Sequence, residues 1–148
     1  MPGDASTGTS SKPEYTYDYA VIRVVPRVER GESINVGVIV SCPDVSFLDA
    51  RIELDIPRLL GLDETLDVDA IQTSLATIPA ICRGGEDAGS IGTLPQRNRF
   101  HWLVSPRSTV IQPSPVHTGR TSDPAAALER LLETMVRRPS GQGQRAKG

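Results

Sequence analysis

The chain has 148 residues, 38% of them hydrophobic and 23% charged, with a net charge of −2. That length suits one domain, and the composition excludes wholesale disorder. No apolar run approaches the roughly 18–20 residues needed to cross a bilayer.

Residues 1–14 and 139–148 are rich in Gly, Pro, Ser and Thr or in isolated charges, and read as disordered tails around a single domain over 15–138. Tyr17–Val25 is aromatic and β-branched and predicts a strand closed by Pro26. A polar loop with Gly31 leads to a second strand, Ile34–Ser41, so an antiparallel hairpin is expected. Asn35 and Gly37 inside it predict a bulge or a close backbone approach. From Leu48 to Ile56 apolar residues alternate with Asp49, Arg51, Glu53 and Asp55, which predicts a third strand with one wet face.

Asp67 is an N-cap, with Leu66 and Ile71 placed as a hydrophobic staple. Val68, Ile71, Leu75, Ile78 and Cys82 continue as a helical stripe; Pro79 should kink or end that helix, and Gly84-Gly85 stops it. Residues 84–98 read as a long loop. Phe100, Trp102 and Val104 alternate with polar neighbours, so a strand is expected over 99–105, its Trp102 packed in the core. Ser105-Pro-Arg-Ser108 suits a type I turn into a short strand at 109–112, with an irregular loop after it. Asp123-Pro124 caps a final amphipathic helix carrying Leu128, Leu131, Leu132, Met135 and Val136, ended before Pro139. The order β-β-β-α-β-β-α predicts an α+β fold: a mostly antiparallel sheet of about five strands with two helices packed on one face.

Charge is unevenly spread. Residues 44–87 carry ten acids against three arginines, whereas 88–122 hold no acid but contain Arg97, Arg99, Arg107, Arg120 and both histidines. On the expected strand, Arg99, His101, Ser105 and Arg107 share the wet face, with Ser108 and His117 shortly beyond; guanidinium, imidazole and hydroxyl groups of this kind hold a phosphate or carboxylate. Arg99, His101, Arg107, Ser108 and His117 are therefore the candidate anion site. Arg23 lies mid-strand among apolar residues and needs a carboxylate, Glu53 or Asp18, or a ligand. Cys42 and Cys82 are far apart without metal-ligand spacing; no metal site is expected, and both thiols should be buried and reduced, as in a cytoplasmic protein. Residues 1–8 hold neither the basic nor the apolar region of a secretory signal.

The strings Tyr19-Ala-Val-Ile-Arg-Val-Val-Pro-Arg-Val-Glu-Arg-Gly-Glu32, Ser33-Ile-Asn-Val-Gly-Val-Ile-Val40 and Arg99-Phe-His-Trp-Leu-Val-Ser-Pro-Arg-Ser-Thr-Val-Ile-Gln-Pro-Ser-Pro-Val-His-Thr-Gly119 resemble the bacterial domain-of-unknown-function 3037 family. The resemblance runs through most of residues 15–138. It brings no established activity and no catalytic residues. It implies a companion role, because such proteins are often encoded beside a HipA-type kinase.

Enzyme motifs are thin. Leu103 and Gly119 stand where a paired-histidine phosphoesterase would carry Ser or Thr after His101 and His117, and Ser108 has no Gly-x-Ser-x-Gly elbow. A Ser–His–Asp triad meeting in space stays open, its acid drawn from Asp18, Glu29 or Glu32. There is no P-loop, dinucleotide fingerprint or H-E-x-x-H, so no cofactor is expected. A net acidic chain without a basic stripe argues against nucleic acid. The leading expectation is a non-enzymatic interaction module for a protein partner, engaged through a sheet edge and steered by the acidic 44–87 flank. The runner-up is an anion- or nucleotide-binding enzyme using the Arg/His/Ser group.

Overall fold

A computed structural model describes residues 12–107 and 109–137; the expected tails fall largely outside that range, as does Ser108, the last residue of the expected turn. β1 (Tyr15–Val24) is the spine of the sheet. On one side it pairs antiparallel with β2 (Ile34–Cys42), which pairs with β3 (Phe47–Ile52). Along its other side two short strands lie end to end: β5 (His117–Thr121) against Tyr15–Tyr19 and β4 (Ile111–Pro113) against Ile22–Val24. The class is α+β, with a five-stranded antiparallel sheet.

Ile22 lies opposite Gly37 and Arg23 opposite Asn35, so Val36 is an extra residue in the β1–β2 ladder. This bulge resets which side chains face which way, because orientation alternates along a strand. Ile34 and Val36 before it, and Ile39 after it, join Ile22, Val24 and Ala50 in one core. Val38, Val40 and Cys42 turn to the opposite face and join Tyr17 in a second. The first, or front, core is covered by α1 (Ile56–Leu62), α2 (Val68–Arg83) and α4 (Gln96–Leu103); the back core is covered by α5 (Pro124–Leu132). Helices thus occupy both faces, not the single face expected. The sheet is valine- and isoleucine-rich on each side and needs cover on each side.

Both capped helices form as their sequences require. The Asp67 carboxylate accepts from the Ala70 N–H at 3.1 Å, and Asp123 accepts from Ala125 and Ala126 at 3.1 and 3.2 Å. α2 does not end at Pro79. It runs to Arg83, since Ile78, Ile81 and Cys82 are buried on both sides of the proline and outweigh one missing hydrogen bond. α5 continues as a π-type turn over Glu133–Arg137.

Other expectations are corrected. The third strand stops at Ile52; Asp55 accepts from the Arg58 N–H at 3.1 Å and, with Pro57, starts α1. Within 84–98 the chain forms a 3-10 turn at Glu86–Ala88, a short helix α3 (Gly89–Gly92) and the start of α4. The loop expected after residue 112 contains β5, whose polar residues are held by main-chain pairing to β1 rather than by burial. Arg23 reaches no carboxylate among the described residues: its Nη2 donates to Pro113 O at 3.2 Å and its Nε is buried without a partner there. Asp18 instead accepts from the Thr118 hydroxyl at 2.8 Å, and Glu53 is taken by Arg137.

The back helix is tied to the sheet by that arginine. Arg137 forks onto Glu53 at 2.8 and 2.5 Å and reaches Glu129 at 2.6 Å, while Arg51 holds the other Glu129 oxygen at 3.0 Å. Hydrogen bonds from Arg137 hold the Glu53 carboxyl below the usual glutamate range. A carboxyl with a lowered folded pKa contributes stability above its unfolded value and loses it as pH falls through the folded one. Glu53→Gln should therefore lower stability at neutral pH and remove part of the loss seen between about pH 5 and 3, measured by urea titration across that range. Added salt should shrink the difference, because these groups are largely solvated.

Gly37 is dictated by contact. A Cβ there would lie 2.6 Å from Arg51 O and 2.7 Å from Ile52 Cδ1. Gly37→Ala is expected to cost about 1–3 kcal/mol, read as a lower urea midpoint with an unchanged slope.

Candidate functional site

The expected anion row depends on a strand at 99–105, and the chain there is helical. Pro95 precedes α4, and Phe100, Leu103 and Val104 at i, i+3 and i+4 pack into the front core. Residues two apart on a helix point about 200° apart, so Trp102 turns outward and is 42% exposed rather than buried.

The proposed partners separate accordingly. Arg99 lies against the end of α2: its Nη1 donates to the Ile81 and Cys82 carbonyls at 2.9 and 2.6 Å, and its Nε to Leu94 O at 2.9 Å. The Ile81 and Cys82 carbonyls belong to the last turn of α2, at the negative end of its dipole, and the first of them is shared with the Gly84 N–H at 3.1 Å. Gly84, at φ +78°, ends α2 and lets the guanidinium pack close, 3.2 Å from where a Cβ would stand. Arg107 lies over the Trp102 ring, 4.5 Å from its centroid, and donates to Trp102 O at 2.7 Å. His101 projects from α4 on the front. His117 pairs with Tyr19 and stacks on its ring at 5.4 Å, on the back face. The two histidines are thus divided by the sheet. Asn35 donates to Met135 O at 2.9 Å and anchors the turn after α5. Both cysteines are buried, and burial pushes the Cys82 thiol up to about 12.

Two recesses open on the front instead. The first is an apolar groove of about 470 Å³ between α2 and the segment from Trp102 to Ile111. Ile71 and Ile78 form its floor, Ala70, Ser74 and Thr77 its helical wall, and Trp102 with Arg107 its opposite rim. It begins at Leu66, ahead of α2, and follows the helix to Ile78, roughly 15 Å from Val68 at the helical rise. Acid sits at the start of α2 in Asp67, and the cation Arg107 on the facing wall. The second recess mixes charged groups with the ring of Phe100 and lies where α4 crosses Asp18. The sequence carries a signal for the groove that alternation hides: Phe100, Leu103 and Val104 share a helical face that excludes Trp102.

The sheet edges are less open. Glu53 N–H bonds Val36 O at 2.7 Å, which makes Ile52–Gly37, and in alternation Ala50–Ile39, non-hydrogen-bonded pairs. The Ala50 N–H therefore points off the outer edge of β3, where the Asp49 carboxylate takes it at 2.8 Å. On the opposite edge Pro113 and Pro115 offer no N–H.

The fold and these surfaces define a small α+β module with an apolar groove and a second hollow of mixed lining on one face of its sheet. A family model described as protein of unknown function (DUF3037) matches residues 19–136, most of the chain, and the chain belongs to that family. Neither the curated proteins nor the solved structures hold a match. Among the described residues, no helix is long and apolar enough to cross a membrane.

Arg99→Met should lower stability by about 1–2 kcal/mol, since it strips a charged donor from a helix end. The loss should be the same with and without phosphate in a thermal melt; a phosphate-dependent loss would return Arg99 to an anion site.

Proposed function

We propose that the chain is a non-enzymatic interaction module that docks a protein partner in the groove between α2 and Trp102. One observation carries this reading: the chain's sole tryptophan is 42% exposed, and it is fixed at the groove rim by Arg107 instead of being packed in the core. Trp and Arg are the side chains most enriched where binding energy concentrates, and a preset rotamer lowers the ordering cost of association. The groove's length suits about three turns of a partner helix.

Charge narrows the occupant. Asp67 opens the groove beside the acidic 44–87 flank, and Arg107 faces it across the cleft. The complementary segment is an apolar helix with a basic residue toward Asp67 and an acidic one toward Arg107. The family resemblance points to a HipA-type kinase as the protein carrying it. With both sheet edges blunted, the groove replaces the edge as the docking surface.

Mixed with the purified HipA-type kinase, the full chain is expected to elute as a stoichiometric complex. Trp102→Ala should weaken that complex by about 30-fold, and Arg107→Glu should weaken it further in low salt than in high salt. The melting curve of Trp102→Ala should stay near wild type. Binding indifferent to both variants would rule the groove out, and absence of a complex would rule out this partner.

A further inference from the structure

Asp18, Ser41 and Thr118 stand side by side across three strands, since Asp18 pairs with Ser41 on one neighbour and with Thr118 on the other. α4 passes over this row and leaves a hollow in two adjoining parts of about 460 and 490 Å³, both lined by Asp18, Arg97 and Phe100. His101 borders the first part and Ser41 and Gln96 the second. Each part lies within the size range of small-ligand sites.

The groups around the hollow are unevenly satisfied. The Ser41 side chain is buried, at 3% exposure, and its hydroxyl receives only a long 3.4 Å contact from Gln96, whose amide is committed to Phe47 O at 2.9 Å. Asp18 holds one hydroxyl, that of Thr118, and has lone pairs to spare. Arg97 and His101 are exposed, and their side chains have no hydrogen-bond or ion-pair partner among the described residues, so both are free to meet a ligand from the solvent side. A ligand that answers all of these groups carries an anion for Arg97 and His101 and hydroxyl donors for Asp18 and Ser41, over the ring of Phe100. A bare anion fits poorly, because the Asp18 carboxylate repels it.

We infer that this hollow binds a small phosphorylated, hydroxyl-bearing metabolite of the sugar-phosphate or nucleoside-monophosphate class. Its phosphate is taken by Arg97 and His101, and its hydroxyls by Asp18 and Ser41. The hollow shares no lining residue with the docking groove, so the two stand or fall separately.

Isothermal titration of the full chain with ribose 5-phosphate, AMP, inorganic phosphate and ribose tests this. Ribose 5-phosphate or AMP should bind, at least about tenfold more tightly than phosphate or ribose. Tighter binding of AMP would show that a base also stacks on Phe100, and tighter binding of ribose 5-phosphate that the sugar alone is read. Arg97→Ala should weaken the sugar phosphate about tenfold. Asp18→Asn, nearly isosteric, should weaken the sugar phosphate yet strengthen inorganic phosphate, a crossing that a merely structural aspartate would not produce. No binding of either sugar phosphate at millimolar concentration, or binding unchanged in both variants, would overturn the inference.

Discussion

Val36 has no partner across the β1–β2 ladder, and the layered arrangement of the chain follows from that one irregularity. Without the bulge, Ile34 and Val36 would share a face with Val38, Val40 and Cys42. With it, apolar side chains from the same strand feed two cores, one under α2 and α4 and the other under α5. A sheet two-sided in this way needs helices on both faces. Gly37 completes the device, because the ladder draws Arg51 and Ile52 too close for a side chain.

What could be read from the chain alone divides along physical lines. β1 to β3, α2 and α5 announce themselves because burial imposes a period and Asp67 and Asp123 supply caps. α4 misleads because Phe100, Trp102 and Val104 satisfy a period of two while Phe100, Leu103 and Val104 satisfy a helical one, over too few residues to separate them. β5 is silent because main-chain pairing, not burial, holds it. α1 is disguised by the alternation that runs on through Leu54 and Ile56, although Asp55 and Pro57 mark its start.

The surfaces were harder to foresee than the fold, and for a definite reason. Strand parity was the only means of grouping Arg99, His101 and Arg107, and it fails once the segment is helical. On a helix the same residues fan out: Arg99 to the end of α2, His101 toward Asp18, and Trp102 with Arg107 to the groove. Ser41 and Asp18 lie far apart in sequence, and only register brings them together.

The gap between β4 and β5 is bridged by a side chain. The Ser114 N–H bonds Val21 O at 2.7 Å, and its hydroxyl accepts from the Val21 N–H at 2.8 Å before donating to Pro115 O at 2.9 Å. A lone hydroxyl thus stands in for the main-chain acceptor of an unbroken strand, flanked by two prolines. A growing fibril recruits molecules through an uninterrupted row of amides. Along this margin the row is cut in the middle by two prolines, which removes the continuous set of donors that copies of a valine-rich sheet would use to pair edge to edge.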